Sequence, residues 1–405
     1  MSDLLWPGDH RAGDLLSDRS VLDAFVRVES AWLTALVTGG IAPPGVRRDL
    51  DALVGPDDLA DVARDAEAGG NPVIPLLDLL RARLGEGATA TWLHRGLTSQ
   101  DVVDSGLMLA CVPIRDALAH QLRRQVELLA TLADAHRATR MIGRTLTQHA
   151  VPTTFGLKAA TWLSGVLDAW DALDRVVLPV QFGGAAGTLA ALHELAGSTS
   201  DPAATVRTVA ETFAAETGLA SALPWHTTRA PVTRLADAAV GGTDAWGHVA
   251  RDVLLLTRPE LGELALAGGG GSSTMPGKQN PTLAVLVRRA ALAAPNLAAT
   301  LHQAAAESID ERSDGGWHVE WATLRTLLRR TVVAAEQTTE LLTGLTVHAD
   351  VMAARLESAE TALAEQMAMA ELVGTEPSGD YLGASDAMID AVLVRAADTL
   401  GRPSS

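Results

Sequence analysis

From residue 104 to 132 the chain reads DSGLMLACVPIRDALAHQLRRQVELLATL, and the reading of this run decides the fold. Leu107, Leu109, Val112, Ile114, Leu118, Leu122, Val126, Leu129 and Leu132 recur mostly at three- and four-residue steps over about eight turns, the period of one long helix with an apolar stripe. Similar runs occupy 157–177, 232–264, 282–306 and 319–345, with Gly or Pro between most of them. Helices of this length exceed the ~10–14 residue average of globular proteins, and a bundle shared between subunits is what buries so many long apolar faces. Strand patterns are nearly missing, so the fold class is all-α. Residues 1 to about 95 hold short helical patterns at 20–37, 47–53 and 75–84, broken by Pro and Gly. After residue 345 two further helical patterns are split by Gly374-Thr375-Glu376-Pro377-Ser378-Gly379. Three domains are therefore expected: a helical N-terminal domain at 1–103, a central long-helix bundle at 104–345 and a reduced C-terminal helical domain at 346–405.

Composition limits the function. At 405 residues, 47% hydrophobic and 20% charged, the chain has the make-up of a soluble globular protein with a sizeable core. A formal charge of −17 argues against nucleic acid and against attraction to an acidic membrane surface, so a site for an anion has to be locally basic. Cys111 is the single cysteine, which precludes an intrachain disulfide and suits the cytoplasm. The amino terminus has no basic stretch ahead of an apolar core, and no apolar run reaches the ~20 residues of a membrane-spanning helix. Paired cysteines and HExxH spacings are absent, so no metal site is expected.

One segment does not read as scaffold. Gly271-Ser272-Ser273-Thr274-Met275-Pro276-Gly277-Lys278-Gln279-Asn280-Pro281 follows Gly268 to Gly270, and glycines in series allow backbone conformations that let a loop close. It carries hydroxyls, an ammonium and an amide, and Pro281 suits the first turn of the apolar helix that follows. On composition alone the plainer alternative is a flexible inter-helix linker.

Three separated stretches change that balance: Gly96-Leu97-Thr98-Ser99-Gln100-Asp101-Val102-Val103-Asp104, Gly143-Arg144-Thr145-Leu146-Thr147-Gln148-His149-Ala150-Val151-Pro152 and the loop itself. Each lies at a helix boundary, and together they resemble the motifs of the fumarase/aspartase superfamily of homotetrameric helical lyases. Within it the chain is most similar to the bacterial 3-carboxy-cis,cis-muconate cycloisomerases. That likeness rests on His94 to Asp101, Gln181 to Thr188, Pro224-Trp225-His226-Thr227, Trp317-His318-Val319-Glu320-Trp321 and Tyr381 to Ala387. It covers most of the chain, although a few helical turns usual in the family are missing between Gly374 and Asp380.

The resemblance implies a three-domain fumarase/aspartase-like fold, a small di- or tricarboxylate substrate, cofactor-free chemistry and active sites assembled from several chains of a homotetramer. Anti elimination next to a carboxylate needs a carbon base, a sink for the developing dianion and an answer to the leaving group's charge. By resemblance Ser272 is the base, Ser273 lines the same loop, and Lys278 and Asn280 supply donors for a carboxylate. Thr98 and Ser99 precede a long helix, where they serve as an N-cap, as a carboxylate site, or as both. Gln148 and His149 are candidate substrate donors, against the plainer reading of a structural histidine. His226, Thr227 and Arg229 follow Trp225 in a turn-rich break, with Arg229 a second carboxylate clamp or else a solvated arginine. His94, His318 and Glu320 match the cycloisomerase pattern without an assigned role.

Two absences matter as much. Many lyases of the superfamily carry a His and a Glu where this chain has Leu146 and Val285, and apolar side chains cannot move protons. Leaving groups that want acid assistance are thereby disfavoured, and with them fumarase, argininosuccinate lyase and adenylosuccinate lyase activities. A carboxylate leaves as a stable anion, its conjugate acid having a pKa near ~4. Lactonisation of 3-carboxy-cis,cis-muconate is accordingly the favoured reading. Nitrosuccinate-lyase-like release of nitrite and fumarate is the alternative, and a helical binding protein that kept only the fold is a third. Gly277 and Gln279 stand where the cycloisomerases usually carry His and Arg, which removes a basic partner for a third carboxylate.

Overall fold

The computed structural model describes residues 3–267, 270–271, 275, 278–359, 362–377 and 379–402. The chain begins with α1 (Asp18–Thr38), α2 (Asp58–Gly69), α3 (Val73–Leu84) and the short α4 (Ala88–Trp92), and then enters the long α5 (Ser99–Ala135). An antiparallel hairpin of β1 (Arg140–Thr145) and β2 (Gln148–Thr154) leads into α6 (Phe155–Asp174), then α7 (Ala190–Leu195), α8 (Pro202–Thr217) and α9 (Ala230–Leu256). Strand β3 (Leu264–Leu266) precedes α10 (Thr282–Ala306) and α11 (Gly316–Thr343). Strand β4 (Leu345–Val347) pairs antiparallel with β3 and opens the last segment, α12 (Ala349–Glu357), α13 (Ala364–Val373) and α14 (Ser385–Leu400). The fold is all-α, and among the described residues the named strands form only these two pairings. No helix among the described residues is long and apolar enough to cross a membrane.

Residues divide into two compact units. The first comprises 1–116, 176–237 and 296–329, and the second 117–175, 238–295 and 330–405. Helices α5, α9, α10 and α11 each contribute residues to both.

In the first unit α1 is capped by the Ser17 hydroxyl, which accepts the Ser20 N–H at 3.1 Å. Its buried face carries Trp32, whose ring meets Phe213 of α8 edge-on at 5.2 Å and Phe182 at 6.3 Å. Such tilted and edge-on contacts suit the ring quadrupoles. Helix α8 starts at Pro202 behind the capping carboxylate of Asp201, and its Val209, Phe213 and Thr217 are buried at four-residue steps. Its small, Ala- and Thr-rich composition makes that period too faint to read from the sequence. The segment at 47–53 is not a helix but ends in an isolated 3-10 turn at Asp51–Leu53.

In the second unit the buried amide of Gln125 on α5 donates to the Ala335 carbonyl of α11 at 2.9 Å and accepts the indole N–H of Trp246 on α9 at 2.7 Å. One side chain thus ties three long helices together, and both of its polar atoms are satisfied. Helix α14 packs Ile389 against Ala159 and Ala160 of α6 and Ala133 of α5.

The hairpin was not legible as strands. Its residues alternate poorly, Pro152 sits within β2, and the register shifts between Ile142 and Arg144. Gly143 lies at that irregularity, and a Cβ there would sit 2.7 Å from the Val151 carbonyl oxygen, so the bulge admits glycine and little else.

Truncation of the aromatic cluster tests this account of the first unit. Phe213→Ala is expected to cost about 3–5 kcal/mol, read as a lowered denaturation midpoint with helical circular dichroism retained before the transition.

Candidate active site

Helix α5 begins where the first motif ends. The carboxylate of Asp101, three residues beyond Thr98, accepts the Thr98 N–H at 2.9 Å, while the Asp101 N–H bonds the Thr98 carbonyl at 2.9 Å. This is half of a capping box, with the acid rather than the threonine hydroxyl serving the backbone. The Thr98 hydroxyl instead accepts from the guanidinium of Arg312. Ser99 is the first residue of the helix and half-buried, and the amides of Ser99 and Gln100 belong to the turn that lacks helical acceptors.

Asp101 is fully buried and serves three more donors. Gly184 N–H lies 3.0 Å from Oδ2, while Gln181 Nε2 and His226 Nε2 each lie 3.1 Å from Oδ1. Since an ionised carboxylate only accepts, His226 carries its proton on Nε2. Gln181 also accepts the Trp225 N–H through Oε1 at 2.6 Å, and Gln100 Nε2 donates to the His226 carbonyl at 2.8 Å. The glycines of the 183–187 segment permit this packing. Gly184 and Gly187 have φ of 68° and 75°, and a Cβ on Gly183 would come within 2.5 Å of the His226 ring.

Arg229 is buried and neither solvated nor open to a ligand. Its Nη1 and Nη2 bond Asp104 at 2.7 and 3.0 Å, and its Nε and Nη2 bond Glu320 at 3.1 and 2.6 Å. Trp317 Nε1 adds a bond to Asp104 at 3.0 Å, and the guanidinium stands 4.7 Å from the Trp225 ring centre. Burial opposes the charge on Arg229, but Asp104 and Glu320 outweigh it and raise its pKa above the ordinary guanidinium range. Burial also raises the Glu320 carboxyl; Arg229 opposes that rise and Asp104 adds to it. Both directions hold at once because one guanidinium serves two carboxylates.

The remaining residues of the first unit fall around this core. Thr227 is half-buried in the bend after His226. His94, at φ 64°, points Nδ1 at the fully buried Glu29, 2.6 Å away. His318 packs against the rings of Trp317 and Trp321 at 5.1 and 4.9 Å. Arg312 was not singled out from the sequence, because nothing in the local residue order marks it; only the fold brings it to Thr98.

In the second unit the β1–β2 hairpin presents Gln148 and His149 to solvent, beside a two-residue turn of Leu146 and Thr147 at φ 49° and 70°. Positive φ at both positions matches a type I′ turn, yet neither is Gly, Asn or Asp, and strain of this kind collects at functional positions. Leu146 is 96% exposed, an unusual placement for leucine at a rigid turn. Arg144 anchors the hairpin through two bonds to the buried Glu263 at 2.9 and 2.6 Å. Gly270 and Asn280 pair antiparallel through bonds of 3.0 and 2.9 Å, closing the base of the 271–279 loop. A Cβ at Gly270 would lie 2.4 Å from the Thr282 hydroxyl. Lys278 is exposed and Asn280 half-buried, whereas Ser272, Ser273 and Gly277 lie outside the described residues. No trio of His, Cys, Asp or Glu among the described residues is arranged to hold a metal ion.

A long-helix bundle carrying these three motifs at its helix boundaries defines a class. The chain belongs to the fumarase/aspartase superfamily of lyases, and a family model described as lyase matches residues 71–294. It is 44% identical over 352 residues to nitrosuccinate lyase of Streptomyces davaonensis, covering 84% of this chain and 74% of that one. It is 37% identical over 392 residues to 3-carboxy-cis,cis-muconate cycloisomerase of Bradyrhizobium diazoefficiens, covering 94% and 83%. Among solved structures, the 3-carboxy-cis,cis-muconate lactonizing enzyme of Pseudomonas putida superposes with a TM-score of 0.84 at 27% identity, covering 96% and 97%.

Removing the shared cation should expose the cost of its two partners. Arg229→Met is expected to destabilise the protein by about 3–5 kcal/mol, because two buried carboxylates lose their counter-charge. A carboxyl with a raised folded pKa favours folding below its ordinary value and loses that contribution as pH rises through the folded pKa. The deficit of the variant should therefore shrink as pH falls toward the carboxylate range, measured by denaturant titration across pH.

Proposed function

We propose that the protein is a cofactor-free enzyme that makes or breaks a bond next to a substrate carboxylate, with a stable anion as the entering or leaving group. The observation that carries this reading is the pair Leu146 and Val285. Each is at least half exposed, at 96% and 51%, and neither side chain can protonate a departing group. The active species is a cytoplasmic homotetramer whose sites draw groups from several chains. In each site Ser272 exchanges the proton at the carbon next to the carboxylate. Thr98, Ser99 and the first amides of α5, with Arg312 above Thr98, hold one carboxylate by charge and by the helix dipole. Lys278 and Asn280 hold another, where charge builds in the transition state. Ser273, Gln148, His149 and Thr227 line the site, while His226 and Arg229 act on it through their buried carboxylate partners.

The first reading is lactonisation. One carboxylate oxygen of 3-carboxy-cis,cis-muconate bonds to an alkene carbon while Ser272 delivers a proton to the adjacent carbon, giving 4-carboxymuconolactone. Similarity to the cycloisomerases along nearly the whole chain supports it. A second reading is elimination from nitrosuccinate: Ser272 takes a proton from the carbon bearing only the carboxylate group, the C–N bond breaks, and nitrite leaves fumarate. It is favoured by the 44% identity to nitrosuccinate lyase and by Gly277 and Gln279, which supply no cation for a third carboxylate.

One pair of assays separates the two. Loss of the ultraviolet absorbance of carboxymuconate selects the cycloisomerase, and release of nitrite with fumarate selects the lyase. With whichever acid is turned over, Ser272→Ala should lower kcat at least about a hundredfold and leave the oligomer intact; normal turnover by that variant refutes the assigned base.

A further inference from the structure

Asp101 is a buried carboxylate placed where an anion-binding helix would be expected to avoid one. An acid in the first turn of α5 competes with a bound carboxylate for the same dipole. In this structure it is turned away from that task, because its four bonds engage donors from three parts of the first unit. Oδ2 takes backbone N–H groups of Thr98 and Gly184, and Oδ1 takes the side chains of Gln181 and His226. The His226 carbonyl is in turn held by Gln100, the second residue of α5. The start of the helix, the glycine segment at 183–187 and the bend at 225–227 are therefore closed into one ring of hydrogen bonds.

We infer that Asp101 and His226 are positioning residues that set the affinity for substrate carboxylate without touching it, by locking the amino terminus of α5 and the 181–187 segment together. The inference rests on the preceding assignment of that helix terminus as a carboxylate anchor. Asparagine at position 101 offers one acceptor oxygen where two are used. Whichever way it turns, an NH2 faces either the two backbone amides or Gln181, whose own oxygen is already held by Trp225. The ring then opens, and the amide of the half-buried Ser99 at the helix terminus loses its fixed direction. Misplacement of this size typically costs on the order of ten- to a hundredfold in kcat/KM.

The test uses the full-length protein and the acid that the wild type turns over. Asp101→Asn should raise KM about tenfold or more, with kcat changed less than about threefold and the oligomeric mass unchanged. His226→Ala should do the same. His226→Gln, whose Nε2 can donate to Asp101 from nearly the same place, should restore most of the affinity. A purely structural role predicts lower thermal stability with KM unchanged below the transition. Unchanged KM in Asp101→Asn or His226→Ala, a fall in kcat alone, or a Gln variant no better than Ala overturns the inference. If Asp101→Asn does not fold, the two His226 variants decide. If the wild type acts on neither acid, the functional reading fails instead; succinate affinity, measured by titration calorimetry on the same variants, then decides the positioning role by the same pattern of loss and rescue.

Discussion

Two carboxylates share one guanidinium at the centre of the first unit, and much else depends on that arrangement. Asp104 comes from α5, Glu320 from α11, and Arg229 from the residue just before α9. Burying such a group is expensive in desolvation, and the return comes only when geometry is good and the remaining donors are satisfied. Here all five guanidinium donors face acceptors, and Trp317 completes Asp104. A substitution by apolar residues of equal volume would give up the directional information. Because the guanidinium fork fits in one orientation, it fixes the chain entering α9, including the Trp225–His226 bend, relative to the first two turns of α5. Asp101 then finds His226 within reach.

The second unit solves a different problem. It has to hold polar groups out from a helical scaffold, and it does so with short irregular pieces anchored at their bases. The hairpin is anchored by the Arg144–Glu263 pair and ends in a strained turn with exposed Leu146, Gln148 and His149. The 271–279 loop is pinned by the Gly270–Asn280 pairing. Leu146 at the hairpin turn and Val285 on α10 carry no proton that could be given to a departing group.

Much of this was legible in the residue order. The long helices declare themselves because each buries a stripe at a constant angular step, and the runs at 282–306 and 319–345 agree with α10 and α11 to within a few residues. The starts of α5 and α10 were legible too, through Thr98-Ser99 and Pro281. By contrast α8 and the hairpin were not, since a stripe of small residues and a bulged, proline-containing pair lack the periodicity that marks ordinary helices and strands.

The sequence by itself determined the class of protein, the all-α architecture and the apolar side chains at positions 146 and 285, because these depend on motif order, local period and residue identity. Only the tertiary structure decided what His226 and Arg229 do. In the sequence both read as polar residues in a turn-rich break, equally suited to a ligand, to solvent or to the core. Their partners Asp101, Asp104 and Glu320 lie more than ninety residues away in the chain, and burial among those acids ties both side chains to the first turns of α5 or to α11. Arg312 shows the converse: no motif marks it, yet the fold brings its guanidinium to Thr98. Hydrogen bonding and charge pairing are set by proximity in space, and proximity between distant residues is not written in local order.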